Sequence, residues 1–209
     1  MKIILLADKE QKEELLLRNG DIPQDLTWTD KLASFQTDTE ADACIDLLFD
    51  GSAERIYELR RLKPAIIIVN SVVSPLRKYG ADVVRINGWN TFLKNEIIEA
   101  AGDDSLKRKA EIVFSTITKK VEWVPDVAGF ISARIVASII NEAYFALEEN
   151  VSSREAIDAA MKLGTNYPFG PFEWGQKIGL QNIYALLKNL SAAEKRYEPA
   201  LLLTKEATL

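Results

Sequence analysis

Residues 41–70 read ADACIDLLFDGSAERIYELRRLKPAIIIVN, and this stretch sets the architecture of the first half of the chain. An apolar run, Ala43–Phe49, gives way to Ser52–Leu62, where Ile56, Leu59 and Leu62 share one face at helical spacing; a second apolar run, Ala65–Asn70, follows. Two strand-length apolar runs joined by an amphipathic helix are the pattern of a βαβ unit, whose parallel strands are covered on both faces and need no polar alternation. On either side the pattern repeats. Ile3–Ala7, Leu26–Thr29 and Asp82–Ile86 predict further strands and Glu10–Arg18 a helix. Glu96–Ala101 predicts one more strand, Ser105–Thr118 a helix with Leu106, Ala110, Val113 and Ile117 on one face, and Val121–Val124 the strand that closes the sheet. The expectation is a small doubly wound α/β domain over residues 1–124.

From Pro125 the pattern turns helical, and residues 125–209 are expected to form an all-α domain. Gly129–Glu148 is a long amphipathic helix with Ile131, Ile135, Ile139 and Ala143 at helical spacing. Ser152-Ser153-Arg154-Glu155 reads as a capping box opening a helix that ends near Gly164. A second box, Ser191 to Glu194, predicts a short helix before Pro199, and Leu201–Leu209 is expected to fray or to rest on a neighbour.

Composition narrows the chemistry. The 209 residues are 47% hydrophobic, enough for a buried core. A formal net charge of −5 argues against a broad footprint for nucleic acid, which needs clustered Lys and Arg. No apolar run approaches the ~18 residues of a membrane span, and Ile3–Ala7 is too short for a signal peptide, so a cytoplasmic protein is expected. The single Cys44 forms no internal disulfide, and its neighbours offer nothing that would lower a thiol pKa. The sequence contains no histidine. Acid–base work therefore falls to a carboxylate, Lys or Tyr, and zinc chemistry lacks its usual ligands.

The sequences PDVAGFISARI (125–135) and INEAYFALEENVSSREAIDAAMKLGTNYPFGPFEWGQKIGL (140–180) resemble the C-terminal domain of 3-hydroxyacyl-CoA dehydrogenases. The elements come in the family's order: a GFI-x-x-R opening of a long helix, an NEA step, a helix ending in KLG, and a YP-x-GPFE loop. Gly164, Gly170 and Gly175 with Pro168 and Pro171 also make sense as a tight interhelical turn. Phe169, Phe172 and Trp174 suit core or subunit contacts. Further back, residues 41–62, IIIVNSVVS (66–74) and RINGWNTFLKNEIIEAAG (85–102) are similar to the segments that in the family reach the nicotinamide, end in N-T-S-S, and carry the catalytic histidine, an F-F-N-P turn and the catalytic glutamate. The resemblance implies a shortened Rossmann-like parallel-sheet domain followed by an all-α dimerisation domain, a homodimer, an acyl-CoA ligand and NAD as cofactor.

The family's chemistry is not carried over with it. Ile3–Ala7 runs into Asp8-Lys9-Glu10-Gln11-Lys12-Glu13-Glu14 with no glycine. In a dinucleotide fold this turn brings bare N–H groups to the pyrophosphate, whereas Asp8 and Glu10 put negative charge there. NAD is therefore expected by resemblance only and not in the usual mode. Asp30 closes the second strand where the family acid binds the ribose, and it also reads as a simple turn residue. Aligning Trp89-Asn90 on the F-N of the family turn and Glu99 on its glutamate places Asn87 where the histidine would stand. The family serine falls near Val72 and the substrate-site asparagine on Ala133.

Of the site, Glu99 and Asn90 remain, with Asn87 in the base position. Three readings stay open: an inactive family member that dimerises and binds an acyl-CoA; an active NAD-dependent oxidoreductase that uses Glu99, Lys94 or Tyr79 as base or borrows its cofactor site from a partner chain; and a structural protomer pairing with an active relative.

Overall fold

The structure, a computed structural model, describes residues 1–16, 24–32 and 41–209, with only the backbone of Arg77. The end of the expected Glu10–Arg18 helix and the segment before Ala41 lie outside the described residues. The chain divides into two compact units, Met1–Phe130 and Ile131–Leu209. The boundary lies six residues beyond the expected Val124/Pro125 because the intervening segment is tied to the sheet: Val124 donates to Ala100 O, Gly129 donates to Val72 O, and Asp126 pairs with Arg85.

The first unit is built on strands β1 (Ile3–Leu6), β2 (Leu26–Thr29), β3 (Ala43–Asp46), β4 (Ile66–Asn70), β5 (Val83–Ile86), β6 (Ile97–Ala101) and β7 (Lys120–Trp123), with helices α1 (Lys9–Leu16), α2 (Ala53–Arg61) and α3 (Asp104–Thr116). The strands form one sheet in the order β2-β1-β3-β4-β5-β6-β7. All pairs are parallel except β5–β6. Parallel neighbours need a crossover helix, and the stretch from Asn87 to Glu96 holds none, so β6 must return antiparallel. Alternate side chains feed two cores. Ile3, Leu5, Ile45 and Ile68 join α1 and α3 residues on one face, and Ile4, Leu6, Cys44 and Ile67 join Ile56 and Leu59 of α2 on the other. Cys44 is fully buried, and burial pushes its thiol well above the ordinary range, as expected of an inert strand cysteine.

Ser52 caps α2 through Arg55 N (3.1 Å), and Asp103 caps α3 through Ser105 N (2.9 Å). Inside the sheet, Arg85 is entirely buried. Its guanidinium donates to Asp126 Oδ1 (2.5 Å), Ser71 O (2.9 Å) and Val127 O (2.6 Å), and lies 4.1 Å from the Phe130 ring centroid. Burial lowers its pKa, and the Asp126 carboxylate opposes that shift.

The second unit comprises α4 (Ser132–Glu148), α5 (Arg154–Thr165), α6 (Pro171–Ile178), α7 (Leu180–Ser191) and α8 (Leu201–Ala207). The buried face of α4 is Ala133, Val136, Ala137, Ile140, Ala143 and Tyr144, while Ile131 and Ile135 are 53% and 55% exposed. The helix carries two interleaved apolar stripes, and the buried one packs against α6, where a Cβ at Gly175 would meet Ile140 at 3.5 Å. The cap of α5 is Ser153, bonded to Ala156 N, one residue later than the expected box.

Ser191 ends α7 rather than opening a helix, its hydroxyl turning back to Lys188 O, and a single 3-10 turn, Lys195–Tyr197, follows. The tail is also ordered against its own unit. Leu203 and Ala207 are buried, Leu202 N donates to Glu148 (2.5 Å), and Glu206 pairs with Arg154 and accepts from Tyr144 Oη (2.7 Å). Desolvation, together with the Glu206 carboxylate, raises the Tyr144 phenol to about 12. Asn141, the asparagine of the NEA step, holds the approach to α8 by accepting from Ala200 N (2.8 Å) and donating to Glu198 O (2.9 Å).

Candidate functional site

In a doubly wound sheet ligands bind outside the carboxyl ends of the strands, where the strand order reverses. Here that point lies between β1 and β3. The first turn after β1 is closed by its own residues. Asp8 Oδ1 accepts from Gln11 N (2.7 Å), and Gln11 Oε1 accepts from Asp8 N (3.1 Å), a reciprocal capping box at the start of α1. Gln11 is 8% exposed, and its Nε2 donates to Leu47 O just past β3 (3.1 Å). The same carbonyl accepts from Asn70 Nδ2 at the end of β4 (3.2 Å), and Asn70 Oδ1 accepts from Gly88 N (3.0 Å). A Cβ at Gly88 would lie 2.8 Å from Asn70 Cγ, so any larger residue there would have to push Asn70 aside.

The segment after β5 carries the expected site. Asn87 is 3% exposed; its Nδ2 donates to Glu99 Oε2 (3.1 Å) and its backbone N to Glu99 O (3.0 Å). The two residues are neighbours because β5 and β6 are antiparallel and leave their side chains on one side of the pair. Asn90 is half-buried in the turn that follows. Thr91, standing where the resembled F-F-N-P turn has proline, has φ +77° and donates its N–H to both carboxylate oxygens of Glu14 on α1 (2.9 and 2.7 Å). Proline could supply neither that φ nor that donor. Lys119 is 4% exposed and braces the same loop by donating to Leu93 O (2.7 Å) and Asn95 O (2.8 Å).

Val72 is buried, with its carbonyl accepting from Gly129 N, and Ala133 is buried on α4. Asp30 is exposed on the bend after β2, and the hydrogen bonds of that bend run between Thr29 and Lys31. Asp46, fully buried at the end of β3, takes Arg55 on both oxygens (2.7 and 3.2 Å); burial raises its pKa and the guanidinium opposes that shift. Among the described residues no three His, Cys, Asp or Glu side chains converge as a metal site would require, and no helix is long and apolar enough to cross a membrane. Sequence reasoning missed Gln11, Glu14 and Asn70. For Gln11 a local signal existed, the D-x-x-Q spacing of a capping box from Asp8; the other two act over 77 and 18 residues with no local pattern.

A doubly wound sheet followed by an all-helical unit that begins at Ile131 and turns between α5 and α6 defines a two-domain protein of the nucleotide-fold class. Residues 129–208 match the 3-hydroxyacyl-CoA dehydrogenase C-terminal domain. The chain belongs to the 3-hydroxyacyl-CoA dehydrogenase family. It is 38% identical over 195 residues to a 3-hydroxybutyryl-CoA dehydrogenase of Bradyrhizobium diazoefficiens, covering 83% of this chain and 66% of that protein. To a 3-hydroxyadipyl-CoA dehydrogenase of Escherichia coli it is 35% identical over 173 residues, covering 82% of this chain and 33% of that protein. The chain thus spans from about a third to just under two thirds of these relatives' own length. The crystal structure of an (S)-3-hydroxybutyryl-CoA dehydrogenase from Ralstonia eutropha shares the fold, with a TM-score of 0.73 at 20% identity over 100% of this chain and 85% of that one.

Proposed function

We propose that this dehydrogenase-like chain does not carry out hydride transfer and acts as a dimerising, acyl-CoA-binding module in the cytoplasm. The observation that carries this reading is the Asn87–Glu99 pair. The hydrogen bond that in an active relative would orient a histidine is made here by an amide, which cannot take a hydroxyl proton at neutral pH. NAD in its usual mode does not suit the residues present: the first turn lacks glycine, Asp8 and Glu10 sit at the helix start, and the N–H groups of Asp8 and Gln11 are already bonded within the capping box.

A second observation supports association. α5 is amphipathic yet buries none of its residues, and Leu163 on it is 87% exposed; Ile131, just before α4, and Ile135 on it are also more than half exposed. In a dimer these faces meet a second copy.

The test is thermal unfolding with short-chain CoA esters and, separately, with NAD or NADH, alongside a nicotinamide absorbance assay on 3-hydroxyacyl-CoA and 3-oxoacyl-CoA substrates. A ligand at about 100 times its Kd stabilises by roughly 2.7 kcal/mol. The expected result is a rise in Tm with CoA esters, none with NAD, and no turnover. Turnover with NAD overturns the proposal in favour of the active enzyme with Glu99, Lys94 or Tyr79 as base.

A further inference from the structure

We propose that the carboxyl edge of the sheet is a hydrogen-bonded clasp rather than a ligand groove, with Gln11, Glu14 and Asn70 as its positioning residues. The proposal deepens the reading above and rests on it. In an open crevice the start of α1 and the loops after β3, β4 and β5 are separated by the ligand that lies among them. Here they form a closed circuit. Gln11 reaches from α1 to Leu47 O, Asn70 joins that carbonyl to Gly88 N, and three residues beyond Gly88 the N–H of Thr91 returns to Glu14, one turn along α1 from Gln11.

Two features show that the circuit is held tightly. A Cβ at Gly88 would sit 2.8 Å from Asn70 Cγ, so the backbone has closed onto that side chain as far as it can. Thr91 is β-branched with φ +77°, a conformation such residues rarely adopt and that persists only when its surroundings enforce it. The two-oxygen acceptance by Glu14 supplies that enforcement. The donors that an open crevice would offer to a phosphate or a nicotinamide amide are thus bonded to the protein itself. The clasp also ties the Asn87–Glu99 pair to α1 through the loop that carries both Gly88 and Thr91.

Amide hydrogen exchange on the full chain tests this directly. The Gly88 and Thr91 amides are expected to exchange slowly, and to keep their rates in millimolar NADH or ADP-ribose. Glu14→Ala should speed the Thr91 amide, and Asn70→Ala the Gly88 amide, by about tenfold or more relative to the interior of β4. Thr91→Gly should leave the protein folded and at least as stable, because glycine removes the φ strain. Free exchange of both amides in the unmodified protein overturns the clasp, as does micromolar NADH binding that alters their rates; either result stands even if a variant fails to fold. The two proposals fail separately. Turnover with both amides still protected removes the functional reading and leaves the clasp; free exchange without turnover does the reverse.

Discussion

Replacing Gly170 by alanine should unlock the turn between α5 and α6. A Cβ there would lie 2.2 Å from Cγ and 2.3 Å from Cβ of Asp158, closer than any real contact. Asp158 must swing away, and in doing so it gives up the N–H groups of Phe172 (2.8 Å) and Glu173 (3.1 Å), which it caps at the start of α6. Losing a charged cap costs about 1–2 kcal/mol, and displacing a packed side chain adds about 1–2 kcal/mol. The sum, about 3 kcal/mol, shifts the unfolding equilibrium of the helical unit by roughly two orders of magnitude. Urea unfolding followed through Trp174, which lies on α6, reads this unit. Asp158→Ala alone should cost about 1.5 kcal/mol, and the double variant should cost little more than Asp158→Ala, because the obstacle is then gone. Additive effects in the double variant, or a Gly170→Ala protein within about 0.5 kcal/mol of the parent, would refute the reasoning.

Other outcomes follow from the same geometry. Arg85→Met should destabilise the sheet unit by about 3 kcal/mol in denaturant melts, toward the lower end for a broken buried pair because Asp126 retains 34% side-chain exposure and can hydrate. Tyr144 titrates late. Its folded-state value near 12 lies above the ordinary 10, so its contribution is fully present below about pH 10 and is lost as pH rises through 12. Tyrosinate absorbance should show this late step, and Tyr144→Phe should abolish it. Asn87→His should not produce dehydrogenase turnover, since it restores a base without restoring the cofactor turn, the serine at Val72 or the asparagine at Ala133. Light scattering at micromolar concentration should show a dimer that Ile135→Glu weakens.

How much of this was legible in the sequence depended on the range of the interaction. Strands such as Ile66–Asn70 announce themselves because a buried parallel strand is a continuous apolar run, and α2 because Ser52 and its apolar face are local signals. The polarity of β6 was not legible, since it depends on what the Asn87–Glu96 connection lacks. Which face of α4 turns inward was not legible, because Ile131 and Ile135 obey the same helical periodicity as Ala133 and Ala137 and only tertiary packing selects between them. The adjacency of Asn87 and Glu99 was available through family resemblance, not through spacing. The clasp joins residues 18, 36 and 77 positions apart, and nothing local encodes such pairings.

The docking of α8 has a kinetic consequence. Asn141, Tyr144, Glu148 and Arg154 find their partners at residues 198 to 206, across separations of 52 to 62 residues. A five-helix unit would ordinarily fold fast through near-neighbour contacts, but here the final closure must search a loop of that length. The entropic cost grows only as the logarithm of loop length, about 0.6 kcal/mol per doubling. The penalty is therefore paid in order of events: during synthesis α4 emerges with its polar anchor points facing water and stays unfinished until some fifty further residues have appeared.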